Sequence, residues 1–221
     1  MNDNNEFENK VAIITGADSG IGRAVAALYA REGADIAIAY LCEHDDAAET
    51  RRIVEAEGRR AITIAGDLGD KKVAEQLVAE TIEKLGRLDI LVNNAGAAWG
   101  APAEDHPVEA WDKVMNLNIR GYFILSQHIA KHSMIARRSG RIINVASIAG
   151  LGGNPPEMTT VAYNTSKGAV INFTRALAAE FGAALAEAVA EAKERARATG
   201  MTFCAPFDDP AVVAGQGTLG L

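Results

Sequence analysis

Lys10-Val11-Ala12-Ile13-Ile14-Thr15-Gly16-Ala17-Asp18-Ser19-Gly20-Ile21-Gly22-Arg23-Ala24-Val25-Ala26-Ala27-Leu28-Tyr29-Ala30 opens as an apolar run, halts at glycine and resumes with a helical pattern. A short, continuously apolar run that ends at Thr15-Gly16 reads as a strand buried on both faces. The glycines stand in a G-x-x-x-G-x-G spacing, in place of the more usual G-x-G-x-x-G. Glycines let the backbone approach a pyrophosphate, and the start of the next helix offers free N–H groups and the positive end of a dipole. Gly16, Asp18, Ser19, Gly20, Ile21 and Gly22 are therefore candidate nucleotide-binding residues. A plain glycine turn is the competing reading, and the strand–turn–helix context weighs against it.

Downstream, the same beat repeats. Asp35–Tyr40 reads as a second buried strand, followed by a polar helix from Asp46 to Glu57 that Gly58 closes. Ala61–Ala65 is a third strand, ending at Gly66-Asp67-Leu68. Lys71–Leu85 is amphipathic, with Val73, Leu77, Val78, Ile82 and Leu85 at helical spacing. Leu88–Val92 is a fourth strand that runs into Asn93-Asn94-Ala95-Gly96, and Pro107 opens a helix toward Asn118. Arg141–Ala146 is a fifth strand and delivers Ser147 at its carboxyl end. Alternating strands and helices imply an α/β fold: a doubly wound parallel sheet of Rossmann type, with ligands beyond the carboxyl ends of the strands.

Tyr163-Asn164-Thr165-Ser166-Lys167 adds a possible proton-transfer device. Tyr and Lys four apart share one helix face. A phenol titrates near pH ~10 and exchanges protons poorly at neutral pH unless a neighbouring cation stabilises its phenolate. The hydroxyl of Ser147 could polarise a substrate oxygen beside it.

Composition narrows the classes of partner. The chain has 221 residues, is 48% apolar and carries a net charge of -7 without a basic run, which argues against nucleic acid or an anionic membrane surface. No apolar run approaches the ~20 residues of a membrane span. The opening Met1–Glu6 is acidic and polar, unlike a signal or transit peptide. Cys42 and Cys204 lack metal-ligand spacing and suit a reducing compartment. His128 and His132 are an i, i+4 pair, but Ile129 stands where a zinc motif needs glutamate, so a solvated helix face is the better reading. A cytoplasmic protein without a bound metal is expected.

Taken together, Thr15–Gly22, Asp67, Asn93–Gly96, Asn118, Ser147, Tyr163 and Lys167 resemble the short-chain dehydrogenase/reductase family, over about residues 8–182. The Gly150–Arg175 region is similar to gluconate dehydrogenases of that family and the first ninety residues to its glucose dehydrogenases. The resemblance implies an NAD(P)-dependent oxidoreductase that moves a hydride to or from a secondary alcohol or ketone of a sugar, polyol or sugar acid. It implies Tyr163 as acid/base and Lys167 as the residue that activates it and holds the nicotinamide ribose. Ser147 would orient the substrate oxygen, and Asn118 would hold a water for proton relay. Tyr40, Asp67, Leu68, Asn94, Ala95 and Gly96 join the cofactor-binding set, with Asp67 at the adenine and Asn94–Gly96 at its ribose. NAD enzymes commonly end the second strand with a carboxylate. Tyr40-Leu41 stands there instead, which tilts the expectation to NADP with NAD left open. A homo-oligomer is compatible with the family.

Beyond Gly182 the pattern departs from the family. Ala183–Thr199 reads as a second long helix, and the last forty residues or so of the chain resemble the serine/threonine dehydratases, which use pyridoxal phosphate. The expected organisation is a dinucleotide-binding domain over 1–182 and an atypical helix–strand–helix segment over 183–221, as in a chimera. Thr202–Ala205 could then dock as a replacement strand, while Asp208-Asp209 reads as a turn before a helix. A pyridoxal phosphate lyase is rejected, since no lysine follows Lys193. A nucleotide-binding scaffold with little or no turnover is the rival to the dehydrogenase.

Overall fold

A computed structural model describes the backbone of residues 6–199 and the side chains of residues 6–181. The expected Thr202–Ala205 strand, Cys204 and the Asp208-Asp209 turn lie outside the described residues. The strands are β1 (Val11–Thr15), β2 (Asp35–Tyr40), β3 (Ala61–Ala65), β4 (Ile90–Asn93) and β5 (Arg141–Asn144). Helices α1 (Gly20–Arg31), α2 (His44–Ala56) and α3 (Lys71–Leu85) separate the first four. Between β4 and β5 runs a helical rod: α4 (Val108–Met115), a π-helical turn (Asn116–Gly121), α5 (Tyr122–Ile129), a second π turn (Ala130–Met134) and α6 (Ile135–Arg137). Pro107, expected to open this rod, is its extended N-cap.

The sheet order is β3-β2-β1-β4-β5, and every pairing is parallel. Successive side chains of a strand point to opposite faces, so each strand feeds two cores. Val11 and Ile13 pack with Leu77, Leu85, Leu91, Leu125 and Ile129 under α3 and α5. Ala12 and Ile14 pack with Ala26, Ala30, Ile36, Ile38 and Val54 under α1 and α2. The order reverses between β1 and β4, and their carboxyl ends open the crevice where such sheets bind ligands.

Local chemistry sets the helix ends. Asp70 caps α3 by accepting from the Lys72 N–H at 2.9 Å, and Gly86 ends it in the left-handed region at φ 88°. In α1, Ser19 makes no side-chain cap, so the first-turn N–H groups face the crevice without a side-chain acceptor.

One helix, α7 (Val161–Thr199), runs unbroken through Gly182. This corrects the expected second helix from Ala183. A single glycine costs a helix only about 1 kcal/mol, and the alanines on both sides outweigh it.

Two buried carboxylates fasten the opposite, amino-terminal end of the sheet. Asp35 pairs with Arg59 at 3.1 Å and Arg60 at 2.7 Å. Asp89 accepts from the Val11 N–H at 2.9 Å and from Arg87 and Arg137 at 2.7 and 3.0 Å, which ties β1 to the rod before β5. Burial pulls the Asp89 carboxyl upward, but the Arg87, Val11 and Arg137 hydrogen bonds outweigh it and hold the group below the usual carboxylate range. A group so lowered stabilises the fold above its ordinary pKa and loses that contribution as pH falls toward its native one. Asp89→Ala should therefore cost about 2 kcal/mol at neutral pH, discounted for the partly exposed arginines. In urea titrations the gap to the wild type should shrink below about pH 4.

Candidate active site

The crevice between β1 and β4 is built from the backbone outward. A β-carbon on Gly22 would fall inside the Gly16 carbonyl, so the glycine turn closes on itself only with glycine there. Thr15 then latches the turn to the next strand end. Its hydroxyl accepts from the Asn94 and Ala95 N–H groups at 2.8 and 2.9 Å and donates to the Val92 carbonyl at 3.3 Å. The Asn94 amide donates to the carbonyls of Thr15 at 2.9 Å and Gly16 at 3.3 Å. A tight glycine turn against an uncapped helix start fits a pyrophosphate, because the free N–H groups there would otherwise lack an anionic acceptor.

Asn118 lies fully buried in the first π turn. Its amide accepts from the Ala97 N–H at 2.8 Å, donates to the Ala97 carbonyl at 2.8 Å and donates to Ser166 Oγ at 2.9 Å. Ser166 donates onward to the Tyr163 carbonyl at 2.7 Å. The side chain is thus spent on clamping the loop after β4 to α7. A water in a proton relay would have to be held by main-chain groups of this turn, where π geometry displaces the usual carbonyl partners.

Lys167 is 3% exposed, and its ammonium sits 5.5 Å from the Tyr122 ring centroid and 5.8 Å from that of Tyr163. It donates to the Val145 carbonyl at 2.6 Å. A β-carbon on Gly96 would lie 3.4 Å from Asn118 Oδ1 and 3.7 Å from Lys167 Nζ, so Gly96, Asn118 and Lys167 meet at one point. Ser147 starts the short turn Ile148–Gly150 and accepts from the Ala149 N–H at 3.2 Å, which leaves its own proton to donate. That turn can press against α7 only because residue 150 is glycine: a β-carbon there would stand 2.5 Å from the Lys167 carbonyl carbon.

Other expected residues fall differently. Asp67 lines an open cleft of about 370 Å³ with Gly69, Asp70, Lys71, Asn116 and Arg120. Leu68 packs into the core beneath it. Tyr40 is also a core residue, with its hydroxyl on His44 Nδ1 at 2.8 Å. Ile21 is exposed at the start of α1. Three contributors were given no role from the sequence, although Thr15 and Ser166 lie inside quoted motifs: Thr15, Tyr122 and Ser166. Tyr122 donates to the Ala95 carbonyl at 3.1 Å. Helical spacing carries a signal for two of them, since Ser166 shares a face with Tyr163 and Lys167, and Tyr122 is one turn beyond Asn118. Among the described residues no cluster of potential metal ligands occurs, and no helix is long and apolar enough to cross a membrane.

Burial pushes the Lys167 ammonium down to about 8 from its ordinary 10.5. The unfolded chain binds this proton more tightly, so the burial penalty is full below pH 8 and fades as pH rises toward 10.5. Relative to Lys167→Met, the wild type should gain up to about 3 kcal/mol across that window, read by denaturant titration.

The short chain dehydrogenase family profile matches residues 10–190. The chain is 43% identical over 182 residues to the uncharacterized oxidoreductase YhdF of Bacillus subtilis, covering 78% of this chain and 58% of that one. It thus spans less than two thirds of that relative's length. It is 37% identical over 175 residues to the 2-dehydro-3-deoxy-D-gluconate 5-dehydrogenase of Dickeya dadantii, covering 79% and 67%. Among solved structures, an NAD+-bound xylitol dehydrogenase superposes with a TM-score of 0.76 at 32% identity, covering 81% of this chain and 67% of that one. The glycine turn latched to β4 and the buried Lys167 beside Tyr163 are thus found within a family match that covers most of the sequence, and the chain belongs to the short chain dehydrogenase family.

Proposed function

We propose that the chain transfers a hydride between a nicotinamide dinucleotide and a secondary alcohol or ketone, in a substrate that is a sugar, polyol or sugar acid. The observation that carries this reading is the buried Lys167 ammonium lying over the ring of Tyr163. The nicotinamide supplies the hydride chemistry, and the protein supplies position and a proton. Among the described residues the Tyr163 hydroxyl has no hydrogen-bond partner, so it is available to a substrate oxygen. Lys167 keeps two of its three N–H donors for ribose hydroxyls after bonding Val145. Ser147 donates to the substrate oxygen from the other side. Gly16, Asp18, Ser19, Gly20, Ile21 and Gly22 would hold the pyrophosphate, Asn94–Gly96 the adenosine ribose, and Asp67 the adenine.

The substrate class is supported by the 2-dehydro-3-deoxy-D-gluconate 5-dehydrogenase among the relatives and the xylitol dehydrogenase among the solved structures. It is also supported by the polar loop before α7, where Asn154 donates to Thr160 and Asn164 at 2.9 and 3.1 Å. The unit bearing this chemistry is proposed as 1–182, with 183–221 appended. A reducing cytoplasm suits the free, exposed Cys42.

A second reading, a dinucleotide-binding scaffold with little turnover, is favoured by one observation. Strand β5 is half-exposed and, among the described residues, pairs on one side only. Incubation with reduced cofactor and a panel of sugar and sugar-acid ketones decides between them. Turnover that falls 10²–10⁴-fold in Tyr163→Phe, with cofactor still bound, supports the dehydrogenase. Binding without turnover in both proteins supports the scaffold.

Self-association is proposed through α5 and α7, where Phe123 is 47% exposed and meets Phe173 edge-on at 6.4 Å between ring centroids. Phe123→Glu should then lower the mass measured by light scattering, and an unchanged mass would remove this face from the interface.

A further inference from the structure

Six arginines gather at the amino-terminal end of the sheet, opposite the crevice, where hydride transfer has no use for them. They come from three separate stretches: Arg59-Arg60 before β3, Arg87 before β4, and Arg137, Arg138 and Arg141 around the start of β5. Contacts join these stretches into one belt. Arg60 donates to the Leu85 carbonyl at 3.0 Å, two residues before Arg87. Arg87 and Arg137 both donate to Asp89 Oδ1, at 2.7 and 3.0 Å. The Arg141 N–H donates to the Asp89 carbonyl at 2.9 Å, which sets the start of β5 beside that pair.

Two carboxylates serve the six cations. Asp35 holds Arg59 and Arg60, and Asp89 holds Arg87 and Arg137. Each carboxylate takes two arginines, so each cluster keeps one positive charge in excess. Arg138 and Arg141 are exposed and, among the described residues, form no ion pair. Six guanidinium charges less two carboxylates leave these groups at +4, on a chain whose net charge is -7. The positive charge is therefore concentrated at one end of the molecule by the fold.

The belt also has a definite length. Neighbouring strands lie about 4.8 Å apart, and β3 to β5 is four steps across the sheet, so the belt spans about 19 Å. That matches about six residues of extended chain. An arginine fork meets a carboxylate with two parallel N–H donors, and arginines already held by a buried carboxylate lose little further freedom on meeting another. A long polyanion fits less well. Past β3 the belt stops at Glu57, which Arg31 engages at 3.6 Å, and beyond it lies the surface of a net-negative chain.

We infer that the arginine belt at the amino end of the sheet is a docking surface for a short acidic segment of a partner protein. The crevice lies at the other end of the strands, so a docked partner leaves it open.

The test uses the full chain and a fluorescently labelled hexaglutamate, with binding followed by anisotropy. The peptide should bind at low salt and weaken steeply as salt rises. Arg138→Glu combined with Arg141→Glu should weaken it at least about tenfold, or about 1.4 kcal/mol. The only bond of either side chain among the described residues is from Arg141 to the Gly140 carbonyl, so the urea midpoint should hold. The milder pair, Arg138→Gln with Arg141→Gln, should shift affinity in the same direction by less. Arg51→Glu combined with Arg52→Glu changes the net charge equally on α2 and should leave binding unchanged. No binding by the wild type, or an equal loss in the α2 variant, would overturn the proposal. Tighter binding of a labelled single-stranded oligonucleotide than of the peptide would overturn the choice of an acidic protein segment.

Discussion

The Asn118 amide, buried without access to water, is the constraint through which the candidate site is assembled. A buried amide must find partners inside the protein or pay its desolvation in full. It meets them on Ala97, beyond β4, and on Ser166 in α7. That single side chain therefore fixes the distance between the loop that borders the nucleotide crevice and the helix that carries Tyr163 and Lys167. Ser166 continues the chain of bonds to the Tyr163 carbonyl, so the phenol is registered against the crevice through the backbone.

The charges are divided between the two ends of the sheet. At the amino ends of the strands, Asp35 and Asp89 are buried but surrounded by arginines and a backbone N–H, and there they secure the fold. At the carboxyl ends, Lys167 is buried without a carboxylate partner among the described residues and is held by a carbonyl and two aromatic faces. Structural burial of charge is compensated by opposite charge, whereas the charge at the crevice has only a carbonyl and two aromatic rings beside it.

Much of the architecture was legible because parallel strands buried on both faces leave long apolar signatures. The expected bounds of Asp35–Tyr40, Ala61–Ala65 and Lys71–Leu85 coincide with β2, β3 and α3. The candidate site was legible as a set of residue types, Asn118, Ser147, Tyr163 and Lys167, but their relations were not. Nothing in the string told that the Asn118 side chain is spent on Ala97 and Ser166, or that Tyr40 packs inward. Side-chain direction at a strand end depends on the helix that covers it, here α2 through His44. The helix break at Gly182 failed for a different reason: a weak local penalty yielded to a run of strong helix formers.

Alternation of buried strands with amphipathic helices, and glycines at one strand end, fixed the layer order and the crevice from local chemistry alone, because periodicity and backbone sterics act within a few residues. The tertiary structure decided which polar groups are committed and which are free. Whether a carboxylate, amide or ammonium bonds to protein or awaits a ligand depends on neighbours brought from β1, β4 and α7 across more than a hundred residues of chain. That choice is made by packing and desolvation, and neither can be read from spacing.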